Sequence, residues 1–357
     1  IMAKAAKTIA LLDKSELQSL ERYCLLHQLK DALVGFLRAV HDKHDLKRGD
    51  ITTAANAPYE KLLEAVGTAV SNGWASQSDF VTLLDNGELA GRQHLCIFKV
   101  RQSEQAKLLE SLRKPTDLDQ SLPTLESFYS VPTTWRTRIL HDTQNEFLAK
   151  IVCPREYWDL EEKSISPDHI QIDKYRRRER AVILIKYDHK TRLLQLRLSL
   201  RRNGQDTGKA VHDFLLQAVT NQFGEVGKVW FGKLDHFPIA DSYAKIIANR
   251  DDFVLIRDTP YDNEITATLS KKVADYVDLR DNPHWTFDKE FARTSIRGIW
   301  LKPAHKDGDE GINAFLHLDD MKLDAKTRRK MARVFFVKSC PDEEIEHVLK
   351  RIREHLP

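Results

Sequence analysis

Twelve lysines and arginines stand against four acids between residues 170 and 210. The run opens with Lys174, Arg176, Arg177, Arg178 and Arg180, and continues through Lys186, Lys190, Arg192, Arg197, Arg201, Arg202 and Lys209. Cationic side chains at that density attract a polyanion backbone. The rest of the chain offers no comparable imbalance. Residues 1–120 hold 16 basic and 16 acidic side chains, and residues 221–357 hold 23 and 24. The competing role for such a run is a solvated sheet face whose charges meet acids from elsewhere in the chain. A second cluster, Lys326-Thr327-Arg328-Arg329-Lys330, either extends the surface or solubilises a helix.

The other candidate motifs each lack a part that their chemistry needs. Asn203-Gly204-Gln205-Asp206-Thr207-Gly208-Lys209-Ala210 lies between a strand and a helix, as a phosphate-binding loop does. It has three residues between its glycines instead of four, and Ala210 has no hydroxyl for magnesium. A strand-to-helix turn capped by Asp206 or Thr207 is the expected role. Pro167-Asp168 followed by Asp188-His189-Lys190 resembles the acid–acid–lysine pattern of divalent-metal nucleases. That chemistry needs two carboxylates on a shared metal and a lysine beside the attacking water. Here the second acid and the lysine fall on the polar tip of a hairpin, and Asp159-Leu160-Glu161-Glu162-Lys163 supplies even less context. His41 and His44 are too few for a metal. His94-Leu95-Cys96 and Cys153-Pro154-Arg155-Glu156 lack the catalytic Glu and second Cys of zinc deaminases. Asp307-Gly308-Asp309-Glu310-Gly311 is wrongly spaced for a calcium loop. Cys340 precedes the last helix without a partner cysteine or a base, so an inert thiol is expected. No metal or other cofactor is expected.

The elements that must position these groups divide the chain unevenly. Residues 1–114 read as mostly helical. Ser15-Glu16-Leu17-Gln18 is a capping-box pattern, followed by a near-3.6 apolar period through Val40 that predicts one long helix. Pro58 opens another helix, a short one ends at Asn86-Gly87, 94–100 reads as a strand, and 104–113 as a closing helix. Pro115, Pro123 and Pro132 predict a linker over 115–134. In 135–285 strands are predicted at 136–140, 147–152, 182–187, 226–231, 253–257, 264–269 and 276–279, with helices at 209–223 and 238–250. Leu194, Leu196, Leu198 and Leu200 alternate with polar residues, so Arg197 and Arg201 are expected to face outward beside the leucine face. Residues 286–357 read as strands at 296–301 and 312–318, a helix at 325–333, a strand at 334–338 and a helix at 341–355, either as a separate domain or a continuation of the sheet.

The predicted fold class is α+β: a helical N-terminal domain, then a larger mixed α/β region with an antiparallel hairpin and a C-terminal βα unit. The four cysteines are scattered over 357 residues, which predicts free thiols and a reducing, cytoplasmic setting. Ile1 ahead of Met2 reads as an appended residue, and no signal-peptide pattern follows it. No apolar run approaches the roughly 20 residues that cross a bilayer. The leading expectation is a non-catalytic nucleic-acid-binding protein or assembly subunit. It would contact DNA or RNA phosphates through 174–209, with the helical domain meeting a protein partner. A divalent-metal nuclease with an irregular carboxylate set is the second reading, and a protein-interaction subunit the third.

Overall fold

The first helix is capped two residues earlier than the sequence predicts. In the computed structural model, Asp13 Oδ1 accepts from the amides of Ser15 and Glu16, and Glu16 Oε2 accepts from the Asp13 amide, each at 2.9 Å. Described are residues 8–47, 49–166, 169–201, 207–262, 265–266, 269–270, 278–281, 292–300, 311–324, 326–336 and 338–356.

The predicted long helix is two, α1 (Lys14–Leu26) and α2 (Lys30–Lys43), separated where Gln28 takes a φ of 54°. α3 (Tyr59–Ser71) follows Pro58. α4 (Gln77–Ala90) continues through Asn86 and Gly87 rather than ending there. Gly87 serves close packing: a Cβ on it would lie 2.4 Å from Leu29 Cδ2. The strand at 94–100 is β1 (Gln93–Lys99), and α5 (Gln105–Leu112) follows. The proline-bearing segment 115–134 holds α6 (Glu126–Tyr129), whose Phe128 enters the helical core with Leu125. Its start is pinned by Thr116 N–H to Gln222 O at 2.7 Å and by Asp119 N–H to Thr137 O at 2.8 Å.

Next come β2 (Arg136–Asp142), β3 (Glu146–Ser166), β4 (His169–Asp188) and β5 (Leu193–Ser199). α7 (Gly208–Gly232) runs through the predicted 226–231 strand. Its helix breaks at Gly224 (φ 61°) and resumes, which brings Trp230 and Phe231 into the core. β6 (Asp235–His236), α8 (Tyr243–Ala248), β7 (Phe253–Asp262), β8 (Ile265–Thr266), β9 (Leu269–Ser270) and β10 (Ala292–Trp300) precede β11 (Ile312–Lys322). The predicted 276–279 strand lies mostly outside the described residues. The helix predicted at 325–333 is a strand, β12 (Arg328–Phe336), reached by a turn in which Asp324 Oδ1 accepts from the Lys326 and Thr327 amides. Helix propensity is a weak prior, and ladders to β1 and β11 on both sides override it here. α9 (Asp342–Glu354) closes the chain as predicted.

The twelve described strands form one sheet, in the order β2-β3-β4-β5-β1-β12-β11-β10-β7-β8, with β6 on β1 and β9 on β7. The fold is α+β. β1 follows four helices in sequence yet occupies the middle of the sheet, antiparallel to both β5 and β12. α5 and α7 cover one face, packing on Cys96, Phe98, Leu194, Leu196 and Leu198. α8 and α9 cover the other, over Leu95, Ile97, Leu316 and Val334. A separate apolar core holds α1 to α4 and α6 together. The four cysteines are free and buried.

Candidate nucleic-acid interface

β3 and β4 outrun their neighbours. β2 leaves β3 at Val152, and β5 leaves β4 at Ile183, while the β3–β4 ladder continues through Cys153↔Ala181 to Ser166↔His169. Residues 153–166 and 169–182 therefore form a two-stranded ribbon, about 40 Å long at roughly 3.3 Å per residue. Strand alternation sorts its side chains onto two faces. One carries Glu156 and Trp158 with Lys174, Arg176 and Arg178. The other carries Tyr157, Tyr175 and Arg177.

On the first face Lys174 Nζ lies 4.7 Å from the centroid of the exposed Trp158 ring. Arg176 pairs with Glu156, and Arg178 donates to Pro132 O at 3.2 Å. On the second, the Arg177 guanidinium lies 5.0 Å from the Tyr175 centroid and that of Arg201 5.4 Å from Tyr157. Lys174, Arg176, Arg177 and Arg178 are all exposed. Cations over aromatic faces attract the ring quadrupole, which orders long side chains while leaving their charge in solvent.

At the root of the first face the ribbon meets the helical part. Arg180 Nε donates to Glu88 Oε1 at 2.8 Å, and Lys150 Nζ to Glu88 Oε2 at 2.8 Å. Asp85 pairs with both Arg138 and Lys150. Burial pushes the Glu88 carboxyl up, but the charges of Arg180 and Lys150 outweigh that and hold it well below the usual carboxylate range. Beside this cluster opens a cleft of about 560 Å³, lined by Arg136, Arg138, Lys150 and Arg180 and by hydroxyls of 121–133.

The predicted cationic stretch is thus not one patch. Arg178 and Lys190 lie twelve residues apart along the β4 direction, about 40 Å. Lys190 and Arg192 flank the β4–β5 turn, where Arg192 takes a φ of 57°. Arg197, expected to face outward, is 2 % exposed. β5 is covered on both faces, and α9 places Asp342 Oδ1 at 2.5 Å from Arg197 Nη2. Lys186 is buried in the same group, within 3.0 Å of Glu146, Asp342 and Glu346. Arg180 is likewise enclosed by its pair with Glu88. Arg201 is half-buried against Tyr157. Lys209 pairs with Asp213 on α7 at 2.8 Å. Arg202 lies outside the described residues.

Of the nuclease-like pattern, Pro167 and Asp168 also lie outside them. Asp188 Oδ1 accepts from the Thr191 amide at 2.7 Å and so holds the hairpin turn. Among the described residues no group of three or more His, Cys, Asp or Glu side chains could hold a metal. Thr207 caps α7 through the Ala210 amide, and residues 203–206 of the glycine-bearing loop are not described. No described helix is long and apolar enough to cross a membrane. No known protein family, curated protein or solved structure matches the chain.

Sequence reasoning missed the aromatic half of the ribbon and the Asp85–Glu88–Lys150 cluster. The first had a signal: Tyr157, Trp158 and Tyr175 flank the basic run in a stretch without glycine. The second had none, because its members come from segments some 60 residues apart.

Proposed function

We propose that the chain binds nucleic acid as a non-catalytic module, with the β3–β4 ribbon holding the phosphate backbone. The observation that carries this reading is the exposure of Lys174, Arg176, Arg177 and Arg178 on a projecting two-stranded ribbon, interleaved with Trp158 and Tyr175. A two-stranded ribbon fits the major groove of a duplex, and exposed aromatic rings also suit unpaired strands. Phosphate contacts dominate such binding and make it salt-dependent. The site is narrower than the whole basic stretch, since Arg180, Lys186 and Arg197 are enclosed against carboxylates of this chain, whereas Arg176 meets Glu156 at the surface.

The test is fluorescence anisotropy with labelled duplex DNA, single-stranded DNA and RNA between about 50 and 200 mM salt. The triple variant Lys174→Gln, Arg176→Gln, Arg178→Gln should lower the slope of log affinity against log salt by about 0.7–0.9 per lost contact, roughly 2–3 in all. It should weaken unrelated sequences alike. If the parent binds none of these polymers at low salt, the reading is wrong. The exposed Trp158 and Ile172 would then mark the ribbon as a protein-docking arm. Magnesium-dependent strand cleavage would instead establish a nuclease.

A further inference from the structure

One line of register partners crosses the sheet at the level where the ribbon begins. It runs Ile183↔Leu198, Leu198↔His94, His94↔Phe335, Phe335↔Phe315, Phe315↔Arg297 and Arg297↔Arg257. Directly paired residues of a sheet share a face. Ile183 and Leu198 lie under α7, so the rings of Phe315 and Phe335 are on the α7 side. Gly208, the first residue of α7, stands against Asp319 beside them.

Beyond that point the sheet face changes character. Phe315 and Phe335 are only partly buried and belong to neither sheet core. Their centroids are 5.9 Å apart with the planes at 30°, and His317 stacks on Phe315 at 5.7 Å and 17°. The Arg297 guanidinium lies 4.5 Å from the Phe315 centroid, and that of Arg92 lies 5.8 Å from Phe335. Among the described residues no carboxylate pairs with Arg92, Arg257 or Arg297. The neighbouring acid, Asp319, is already held by Arg333 at 2.8 and 3.1 Å. Arg92 Nε is buried with no hydrogen-bond partner among the described residues. Burial lowers the pKa of Arg297, and Arg257 beside it lowers it further. Burial, followed by the charge of Arg333, pushes the His317 imidazole down to about 4, so this ring is neutral at pH 7.

Flat rings on adjacent strands, edged by guanidinium groups that meet no carboxylate among the described residues, are complementary to a flat aromatic ligand carrying negative charge. We propose that the Phe315–Phe335 face is a stacking platform for unpaired bases of a single-stranded nucleic acid, with Arg92, Arg257 and Arg297 meeting its phosphates. This rests on the nucleic-acid reading of the ribbon and narrows it to polymers with unpaired segments. Each stacked base contributes about 1–3 kcal/mol to such binding, at least about fivefold in affinity. Two rings therefore confer a preference of about 25-fold or more.

The experiment compares two labelled polymers of equal length, oligothymidylate and an abasic deoxyribose-phosphate strand. The parent should bind oligothymidylate at least about 25-fold more tightly than the abasic strand. The double variant Phe315→Leu, Phe335→Leu should reduce that preference to within a few-fold while leaving the salt dependence unchanged. Arg297→Gln, which leaves both rings in place, should weaken oligothymidylate and lower its salt slope. Equal binding of the two polymers by the parent overturns the platform and leaves the ribbon reading intact. A preference that survives in the folded double variant also overturns it. If neither polymer binds, the platform falls, and the ribbon reading falls with it only if duplex DNA also fails to bind at low salt.

Discussion

Glu88→Gln tests the charge cluster that joins the ribbon root to the helical part. Glu88 is fully buried, Lys150 is 3 % exposed and Arg180 is 10 % exposed. The carboxylate accepts three hydrogen bonds, from Arg180 Nε and Nη2 at 2.8 and 3.1 Å and from Lys150 Nζ at 2.8 Å. Glutamine keeps the volume and one acceptor but turns an amide N–H₂ toward two cations. Asp85 is then the one carboxylate left to Arg138, Lys150 and Arg180 within the cluster. Removing one partner of a buried pair costs about 3–5 kcal/mol, because the remaining charge stays desolvated. The adjacent cleft admits water to Arg180, which places the expected loss near the lower figure. Urea unfolding followed by tryptophan fluorescence should show the midpoint falling with an unchanged denaturant slope. The cycle with Arg180→Gln should show coupling of about 2 kcal/mol, since the second substitution removes the cation that the first stranded. The pH dependence has a definite sign. Because the folded carboxyl is held low, its contribution is complete above the ordinary value of about 4.3 and is lost as the pH falls toward the folded value. Parent and variant should therefore converge only in strong acid. A loss below about 1 kcal/mol, or strict additivity in the cycle, would refute the argument that this cluster is desolvated.

Two further substitutions probe other buried groups. Burial pushes His27 down to about 4, whereas the unfolded imidazole takes its proton near 6.5. Stability should be complete above that pH and fall by about 2–3 kcal/mol on acidification to about 4.5. Replacing His27 with Gln should remove that part of the decline in urea titrations at the two pH values, and an unchanged decline would assign it to other groups. Arg197→Gln should cost about 2–3 kcal/mol rather than the half kcal/mol of a surface change. The half-exposure of Asp342 keeps the figure below that for Glu88. A urea midpoint matching the parent's would mean that Arg197 is solvated after all.

Much of the fold was legible because its signals are local. The alternation over 193–200 marks β5, the apolar run at 182–187 marks the inner half of β4, and the acidic start and basic end of α9 mark a helix. What failed locally was overruled from a distance. Ala-Lys-Thr-Arg-Arg-Lys-Met-Ala-Arg has the composition of a helix, yet Arg333 and Ala332 must pair with Cys96 and Ile97, more than 200 residues earlier. The outer half of the ribbon escaped notice because neither of its faces is uniformly apolar, so its sequence shows no sustained period-2 hydrophobic pattern.

The basic stretch shows why a charge run in sequence is not yet a surface. On a strand, successive arginines point to opposite faces, and sixteen residues separate Lys174 from Lys190 along nearly the whole of β4 and its turn. Position along the ribbon then decides each one's fate. Arg176, Arg177 and Arg178 lie beyond the last neighbouring strand and remain in solvent on either face. Arg180, two residues nearer the body, meets Glu88. Alternation alone could not reveal that Arg197 is covered, because period-2 patterning identifies the apolar face but not what packs on the polar one. That information sat elsewhere, in the acids that open α9. Their placement suits the helix dipole, which accounts for them without a partner. In the fold Asp342 and Glu346 also approach the polar side of β4 and β5 and bind Lys186 and Arg197. An acidic helix start and a basic strand face in one chain are each complete as local signals. Only their joint excess marks them as partners, and that subtraction leaves Lys174, Arg176, Arg177 and Arg178 of the ribbon and Lys190 of the turn as exposed cations of the run.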